Sequence, residues 1–186
     1  KASSDGQEVI KREDYDRGLA MCEAIDGNVM ARSMVAAGQK EITLFGDIDD
    51  VPLKCRLDLM SNESADIKGT RDASPVGFGR SAANLRYGFK LAIYREIFKQ
   101  NEGYDPDVFL IAVETDGDFD CCVYQVPDAV LDEGLKQVRK VIEQYKQCLE
   151  TNHWPGVDND VSPLQLYVPN LAMPQDEEFD WSGVDE

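Results

Sequence analysis

Two carboxylates and a lysine fall within a short stretch of the chain that has the pattern of a β-hairpin. Residues 55–59 and 65–70 each have the composition of a strand, and the polar segment between them is typical of a turn. Residues two apart on a strand share a face, so Asp66 and Lys68 point the same way, about 6–7 Å apart along the chain. Hairpin pairing brings Asp58 towards the same face. We therefore expect these three side chains to form one site.

The chemistry that these residue types support is metal-assisted attack of water on phosphorus. Carboxylate oxygens are the ligands that Mg²⁺ prefers, and Mn²⁺ accepts the same ligands. We expect Asp58 and Asp66 to hold the ion, with the backbone carbonyl of Ile67 as a further ligand. Lys68 would position and activate the attacking water. Glu41 opens the preceding strand and is a further candidate ligand, and a surface glutamate is an equally good interpretation of it.

An Asp-x-Lys pattern alone is common and usually marks two solvated side chains on a strand edge. Three further features favour the catalytic interpretation. Asp58 precedes the pattern at hairpin distance, hydrophobic residues surround the charges, and a long amphipathic helix follows. Together they make a catalytic site the better prediction.

An ordered series of segments resembles one nuclease family. It is similar to the C-terminal nuclease domain of exodeoxyribonuclease VIII, the RecE type of phages and prophages, in the RecB-like branch of the PD-(D/E)XK superfamily. Two departures are visible: Lys90 stands where that branch usually has the glutamine of a Gln-x-x-x-Tyr motif, and no histidine precedes His153. The resemblance spans roughly residues 15–170, and its segments are Glu41-Ile-Thr-Leu-Phe45, Cys55-Arg-Leu-Asp58, Asp66-Ile-Lys68-Gly-Thr70, Ala92-Ile-Tyr94 and His153-Trp154-Pro155.

The resemblance implies a fold, an activity and partners. The fold is an α/β (α+β) core like that of restriction endonucleases, with a mixed central sheet flanked by helices. The activity is 5′→3′ exonuclease action on linear double-stranded DNA during phage-type recombination, and an endonuclease or a RecB-like helper nuclease of the same fold is the alternative. The implied partners are DNA, a single-strand annealing protein and further copies of the chain in a ring. Lys90 and Tyr94 would support the site or contact DNA.

The charge of the chain conflicts at first with DNA binding. The formal net charge is −17, whereas phosphate contacts normally need lysine and arginine. Residues 54–99, however, hold nine basic and five acidic residues, a local balance of +4. We expect this segment to form a positive groove on an acidic body, whereas Arg95 is better explained as an ordinary surface charge. An acidic DNA mimic or protein-interaction domain would explain the net charge directly, but it would not require the Asp, Asp and Lys spacing. The candidate phosphate contacts are Arg71, Arg80, Arg86 and Lys90.

The length and composition fit a single nuclease domain over residues 1–157, with residues 1–12 frayed and residues 158–186 forming an acidic tail. No apolar run approaches the length of a membrane span. The five cysteines are odd in number, and no two have the Cys-x-x-Cys spacing, which argues against zinc and against a disulfide framework. We therefore expect a protein of the cytoplasm, in a bacterium or a phage-infected cell.

The hydrophobic periodicity predicts the elements that must position the site. A buried central strand is expected where the chain is almost continuously apolar, and the loop after the Asp-x-Lys strand is expected to leave the edge of the site. The expected elements are helices over 14–37 with an interruption at Gly27, antiparallel strands over 41–45, 51–60 and 65–68, a loop over 69–80, a helix over 81–99, strands over 108–114 and 119–126, and a helix over 128–150.

Overall fold

A computed structural model describes residues 10–156 of the chain. Its centre is a five-stranded mixed sheet with helices on both faces, and the expected α+β architecture is confirmed. The elements are α1 (Arg12–Gly27), α2 (Val29–Ala37), β1 (Gln39–Ile48), β2 (Val51–Met60), β3 (Ser64–Thr70), α3 (Pro75–Asn84), α4 (Tyr87–Glu102), β4 (Val108–Glu114), β5 (Cys121–Gln125) and α5 (Asp128–Thr151).

The strands lie in the order in which they occur in the sequence. β1, β2 and β3 form an antiparallel meander, and β5 returns antiparallel to β4. Only β3 and β4 are parallel, with Asp66 opposite Leu110 and Lys68 opposite Ala112. Parallel neighbours need a crossover connection. Here α3 and α4 supply it, so the helices of the crossover lie over the strand that carries the Asp-x-Lys pattern.

Successive side chains of each strand point to opposite faces of the sheet, and each face carries its own hydrophobic core. Ala65 of β3 and Ile111 of β4 pack with Ala31 and Met34 of α2 on one face. On the other face, side chains of β4 pack against α3, α4 and α5. Asp66 and Lys68 are one and three residues beyond Ala65, so their side chains point to the opposite face, which α4 covers. The charged residues of the Asp-x-Lys pattern thus lie at the interface between the sheet and a helix.

The segment after β3 differs from the expectation. A loop over 69–80 is wrong from Pro75 onward, because α3 begins there. Ser74 caps α3 by accepting a hydrogen bond from the Gly77 amide at 3.2 Å, and Pro75 occupies a first-turn position where its missing N–H costs nothing. The expected single helix over 81–99 is two helices, because Arg86 adopts a left-handed conformation with φ 53° and ψ 43° between α3 and α4.

Two predicted segments lie partly or wholly outside the described residues. The frayed start was expected over residues 1–12, of which the structure describes 10–12, and Arg12 already belongs to α1. The acidic tail over 158–186 lies entirely outside. Of the described residues, 10–151 belong to one compact unit, and the domain boundary at 157 stays a prediction. Among the helices that the structure describes, none has the length and apolarity that crossing a membrane requires.

The helices α4 and α5 cross at a pair of glycines. A Cβ placed on Gly134 of α5 would overlap the backbone carbonyl of Gly88 in α4, and it would lie 3.1 Å from the Cβ of Ala92. The two backbones therefore approach more closely than any side chain at this position would allow. This contact fixes how α4 lies on the sheet.

We expect Gly134→Ala to lower the free energy of unfolding by about 1–3 kcal/mol, because the added methyl group has no space between the helices. Thermal unfolding monitored by circular dichroism would measure the change. Gly18→Ala is a matched control in α1, since a Cβ there meets no atom within 4 Å. The control should be neutral or stabilising by about 0.5–1 kcal/mol. An unchanged unfolding temperature for Gly134→Ala would contradict the close crossing.

Candidate active site

The hairpin pairing ends at the two carboxylates. Leu59 pairs with Ala65 in the β2–β3 ladder. Continued by one residue, this register sets Asp58 across from Asp66, but the ladder stops before that pair. There the Asp58 side chain replaces the backbone acceptor, because its Oδ2 accepts a hydrogen bond from the Ile67 amide at 2.8 Å. The two strands diverge with one carboxylate on each.

Asp66 is the most buried charged group of this region, with only 2% of its surface exposed. Its Oδ1 accepts a hydrogen bond from the Lys90 ammonium at 3.0 Å. Its Oδ2 is in ion contact with the Lys68 ammonium and has no hydrogen bond of normal geometry in the part of the chain that the structure describes. A buried carboxylate is tolerated only with opposite charge beside it. The two lysine ammonium groups therefore offset the cost of burying the Asp66 carboxylate.

Lys68 is held from several sides. Its Nζ donates a hydrogen bond to the Ile67 carbonyl at 3.3 Å and lies 5.5 Å from the centre of the Tyr87 ring. The pKa of Lys68 is lowered from 10.5 to about 8, mainly by burial and next by the positive charge of Lys90, while Asp58 opposes the shift. An amine with such a pKa is able to exchange a proton with a reacting water near neutral pH.

The residues present suit a divalent metal ion of the magnesium type. Asp58, Asp66 and the Ile67 carbonyl supply oxygen ligands only, and the buried Oδ2 of Asp66 lacks a normal hydrogen bond. Residues 10–156 contain no cluster of three or more acidic, cysteine or histidine side chains placed to hold a metal. Mg²⁺ is commonly bound through one or two carboxylates, with water and substrate phosphate completing its shell. The small ligand set is therefore compatible with Mg²⁺ and unlike a closed structural site.

Glu41 lies apart from these contacts. It has a positive φ of 58°, and it is the one residue of β1 without a pairing partner in β2. Its carboxylate forms an ion pair with Arg56, and 56% of its side chain is exposed. The surface interpretation explains these contacts, and a role for Glu41 as a metal ligand stays a prediction.

The predicted DNA-contacting residues fall into two groups. Arg71, Arg80 and Arg86 are exposed and form no ion pair within residues 10–156. Lys90 and Tyr94 are half-buried, and the Lys90 ammonium lies 4.8 Å from the centre of the Tyr94 ring. The first group is free to meet a ligand from solvent, whereas the second belongs to the carboxylate site.

Arg95 differs from the ordinary surface charge that the sequence suggests, because only 12% of its side chain is exposed. It pairs with Asp105 at 2.6 Å, Asp128 at 3.1 Å and Asp132 at 3.2 Å. Hydrogen bonding to Asp105 is the main reason that the pKa of Arg95 is raised. Arg95 therefore ties α4 to the start of α5 and is not available to phosphate.

Sequence reasoning missed Tyr87. Its ring faces Lys68 on one side, and it also lines a neighbouring cavity of about 590 Å³ together with Phe78 and Tyr124. A signal was present, because Tyr87, Lys90 and Tyr94 have the i, i+3, i+7 spacing of one helical face. That face of α4 carries every contact that the helix makes with the charged site.

Glu114 was also missed. It ends β4 opposite Thr70, and its two carboxylate oxygens accept hydrogen bonds from the Ala73 amide at 3.0 Å and the Asp120 amide at 3.3 Å. These bonds tie the segment before α3 to the β4–β5 turn. A terminal strand glutamate in the sequence gives no indication of such a bridging role.

Comparison with known proteins agrees with this geometry. Residues 2–161 match the family described as a PDDEXK-like domain of unknown function (DUF3799). A search of curated proteins finds no significant match.

One solved structure is similar in fold, and a second gives a weaker match. The crystal structure of an Eubacterium rectale protein named "putative exonuclease" has a TM-score of 0.58 at 17% identity, and the alignment covers 87% of this chain and 79% of that one. The crystal structure of SSO0001 has a TM-score of 0.38 at 14% identity over 69% of this chain and 57% of the other, which is too low to carry an argument.

Nucleases with the PD-(D/E)XK core typically use divalent metal ions, in agreement with the oxygen ligands that the site offers. The family model covers most of the chain, and the mixed sheet, the diverging hairpin and the Asp-x-Lys pattern all agree with it. The chain therefore belongs to the PDDEXK-like family DUF3799, within the PD-(D/E)XK nuclease superfamily.

Proposed function

We propose that this nuclease is a Mg²⁺-dependent exodeoxyribonuclease that degrades linear double-stranded DNA from 5′ to 3′, with Mn²⁺ able to replace Mg²⁺. The observation that carries the proposal is the buried Asp66 carboxylate, which lies beside Asp58 and in contact with a lysine of lowered pKa. Two carboxylates and an ionisable amine are the groups that hydrolysis of a phosphodiester requires.

Asp58, Asp66 and the Ile67 carbonyl would hold the metal ion. Bound there, the ion would supply a Lewis acid for the charge that develops on the phosphoryl oxygens and the leaving 3′ oxygen. Ile67 contributes in two ways, since its amide fixes Asp58 and its carbonyl faces Lys68. The site is therefore organised around one peptide segment of β3.

Lys68 would orient the attacking water and accept its proton. The neutral amine is the form that accepts a proton, and the lowered pKa of about 8 keeps part of the population in that form near neutral pH. The Tyr87 ring and the Ile67 carbonyl limit where the amine can point. Proton transfer is efficient only when the base is held within hydrogen-bond reach of the water.

The preference for a DNA end rests on similarity. The Eubacterium rectale protein of the same fold carries the name of an exonuclease, and the ordered motifs resemble those of the RecE type. We extend the proposal to the partners that this resemblance implies: a homo-oligomeric ring around the duplex and a single-strand annealing protein that takes up the 3′ strand. The cytoplasm of a bacterial or phage-infected cell is the proposed location.

The three exposed arginines support a path for DNA. Arg71 follows β3 directly and lines a small cavity with Thr70 and Thr115. Arg80 lies on α3, and Arg86 lies at the junction that leads to α4. Because neighbouring acids do not neutralise them, they are suited to contact phosphates on an otherwise acidic protein.

Replacing Lys68 tests the proposed chemistry. We expect Lys68→Ala to lower the rate of nucleotide release from linear duplex DNA by a factor on the order of 10² or more, because the base is lost while both carboxylates remain. Metal binding, measured by titration calorimetry, should persist. Lys140→Ala, an exposed change on α5, is the control. Unchanged turnover would show that Lys68 does not act as the base. A protein without any Mg²⁺-dependent cleavage would favour the alternative of an acidic protein-interaction domain.

The polarity is tested with end-labelled DNA. We expect a linear duplex labelled at the 5′ ends to release its label first as mononucleotide, and we expect a covalently closed circle to resist, since no end is available. Release of the label should stop when EDTA removes the metal. Linearisation of the circle would favour the endonuclease alternative, and early release of a 3′ label would reverse the proposed direction.

The salt dependence of DNA binding tests the proposed path. Neutralising a true phosphate contact should lower the slope of log affinity against log salt by about one. We expect this for Arg80→Ala and Arg86→Ala and not for Lys140→Ala, with binding measured in EDTA so that the duplex stays intact. Equal slopes for all three variants would place the DNA elsewhere on the protein.

A further inference from the structure

Lys90 neither holds the metal ion nor accepts a proton in the chemistry described so far, yet it contacts the most buried carboxylate of the site. Its ammonium lies 3.0 Å from Asp66 Oδ1. It reaches there from α4, whereas Asp58, Asp66 and Lys68 all belong to the β2–β3 hairpin. A second lysine is unnecessary for activating water, so its position needs another explanation.

The charges of the site balance only in the absence of a metal ion. Asp58 and Asp66 carry two negative charges, and Lys68 and Lys90 can carry two positive ones. A divalent cation on the same carboxylates adds two more positive charges, and like charges at such distances repel strongly in a partly buried site. Departure of an ammonium from Asp66 therefore favours entry of the metal ion.

The surroundings decide which ammonium leaves. The Lys68 side chain is 17% exposed and is held by the Ile67 carbonyl and the Tyr87 ring, whereas the Lys90 side chain is 40% exposed. A lysine side chain has a long flexible aliphatic part, so its ammonium can move towards water while its Cα stays in place. Lys90 is thus the cation with room to move.

We propose that Lys90 is an exchangeable counter-ion of the metal site. In the metal-free protein its ammonium neutralises Asp66, and when the metal ion enters, that ammonium moves from Asp66 to a phosphate of the bound DNA. The inference rests on the proposed function, because it assigns the metal to Asp58 and Asp66. This role of Lys90 explains how the buried Asp66 carboxylate is neutralised before metal and substrate arrive.

The Tyr94 ring supports the exchange. The Lys90 ammonium lies 4.8 Å from its centre, within the range of a cation–π contact. This contact does not depend on Asp66, so the ammonium keeps one partner while it gives up the carboxylate. Its new position would remain close to the site, where the phosphate that undergoes cleavage must lie.

Binding of Mn²⁺ to the full chain tests the first half of the proposal. We expect Lys90→Gln to bind Mn²⁺ about tenfold more tightly than the wild type, because no ammonium competes for Asp66. Lys90→Arg keeps the charge and should bind no more tightly than the wild type. Lys140→Gln removes one exposed positive charge from α5 and should change affinity less than twofold. Calorimetric titration measures all four proteins, and thermal unfolding verifies that each is folded.

Equal Mn²⁺ affinity in Lys90→Gln and Lys140→Gln would overturn the inference and leave the proposed function standing, provided that Asp58→Asn weakens Mn²⁺ binding. If Asp58→Asn has no effect, or the wild type binds no Mn²⁺, the metal site itself is wrong. The two failures are therefore distinguishable without any measurement of activity.

DNA binding tests the second half. With Ca²⁺ as the oxygen-binding cation, we expect Lys90→Gln to lower the salt slope for duplex binding by about one, because the released ammonium contacts a phosphate. In EDTA the same variant should leave the slope unchanged, since Lys90 then stays on Asp66. An equal reduction with and without Ca²⁺ would show that Lys90 does not exchange, and no reduction in either condition would show that it never reaches the DNA.

Discussion

One buried charge organises this protein. Asp66 lies almost fully inside the fold, and an isolated carboxylate there would cost several kcal/mol in lost hydration. The cost is offset because Lys68 approaches from the same strand and Lys90 from a helix of the crossover. The hairpin and α4 are therefore coupled through one carboxylate. Any change in the position of the helix alters the electrostatics of the strand, because the pKa of Lys68 is lowered mainly by burial and next by the charge of Lys90.

The backbone around Asp66 serves the same arrangement. Regular pairing of β2 and β3 would consume the Ile67 amide in a ladder hydrogen bond, and the strands would hold both carboxylates against each other. The ladder stops instead, and the Asp58 side chain accepts that amide. A polar backbone group is thus satisfied while a space opens between the strands. On the other side of α4, the Gly88–Gly134 crossing lets α5 pack closely on this helix. Lys90, Tyr87 and Tyr94 of α4 face the carboxylate site.

Much of this arrangement was predictable from local patterns. Strand alternation placed Asp66 and Lys68 on one face, hairpin spacing placed Asp58 beside them, and the apolar run of β4 indicated a buried central strand. The break at Arg86 was not predictable, because a left-handed arginine has no distinctive sequence signal and tertiary contacts impose it. The start of α3 was predictable, because Ser74-Pro75 is a helix-capping signal. The nearby glycines favoured the interpretation of this segment as a loop. The contact of Lys90 with Asp66 depends on packing between a strand and a crossover helix, which no local pattern specifies.

The parallel pairing of β3 with β4 has a consequence for how the chain folds. The β2–β3 hairpin joins residues close in sequence, so the two carboxylates can meet early. Lys90 is 24 residues beyond Asp66, within the crossover that links β3 to β4, and it reaches the carboxylate only after α4 has packed against the hairpin. Contacts that close long loops form late and slow the overall rate. During that interval the hairpin carries two carboxylates with Lys68 as the nearby cation from its own strands. The packing of α4 on the hairpin therefore adds a second cation beside Asp66, so the charged site is completed as this helix covers the sheet.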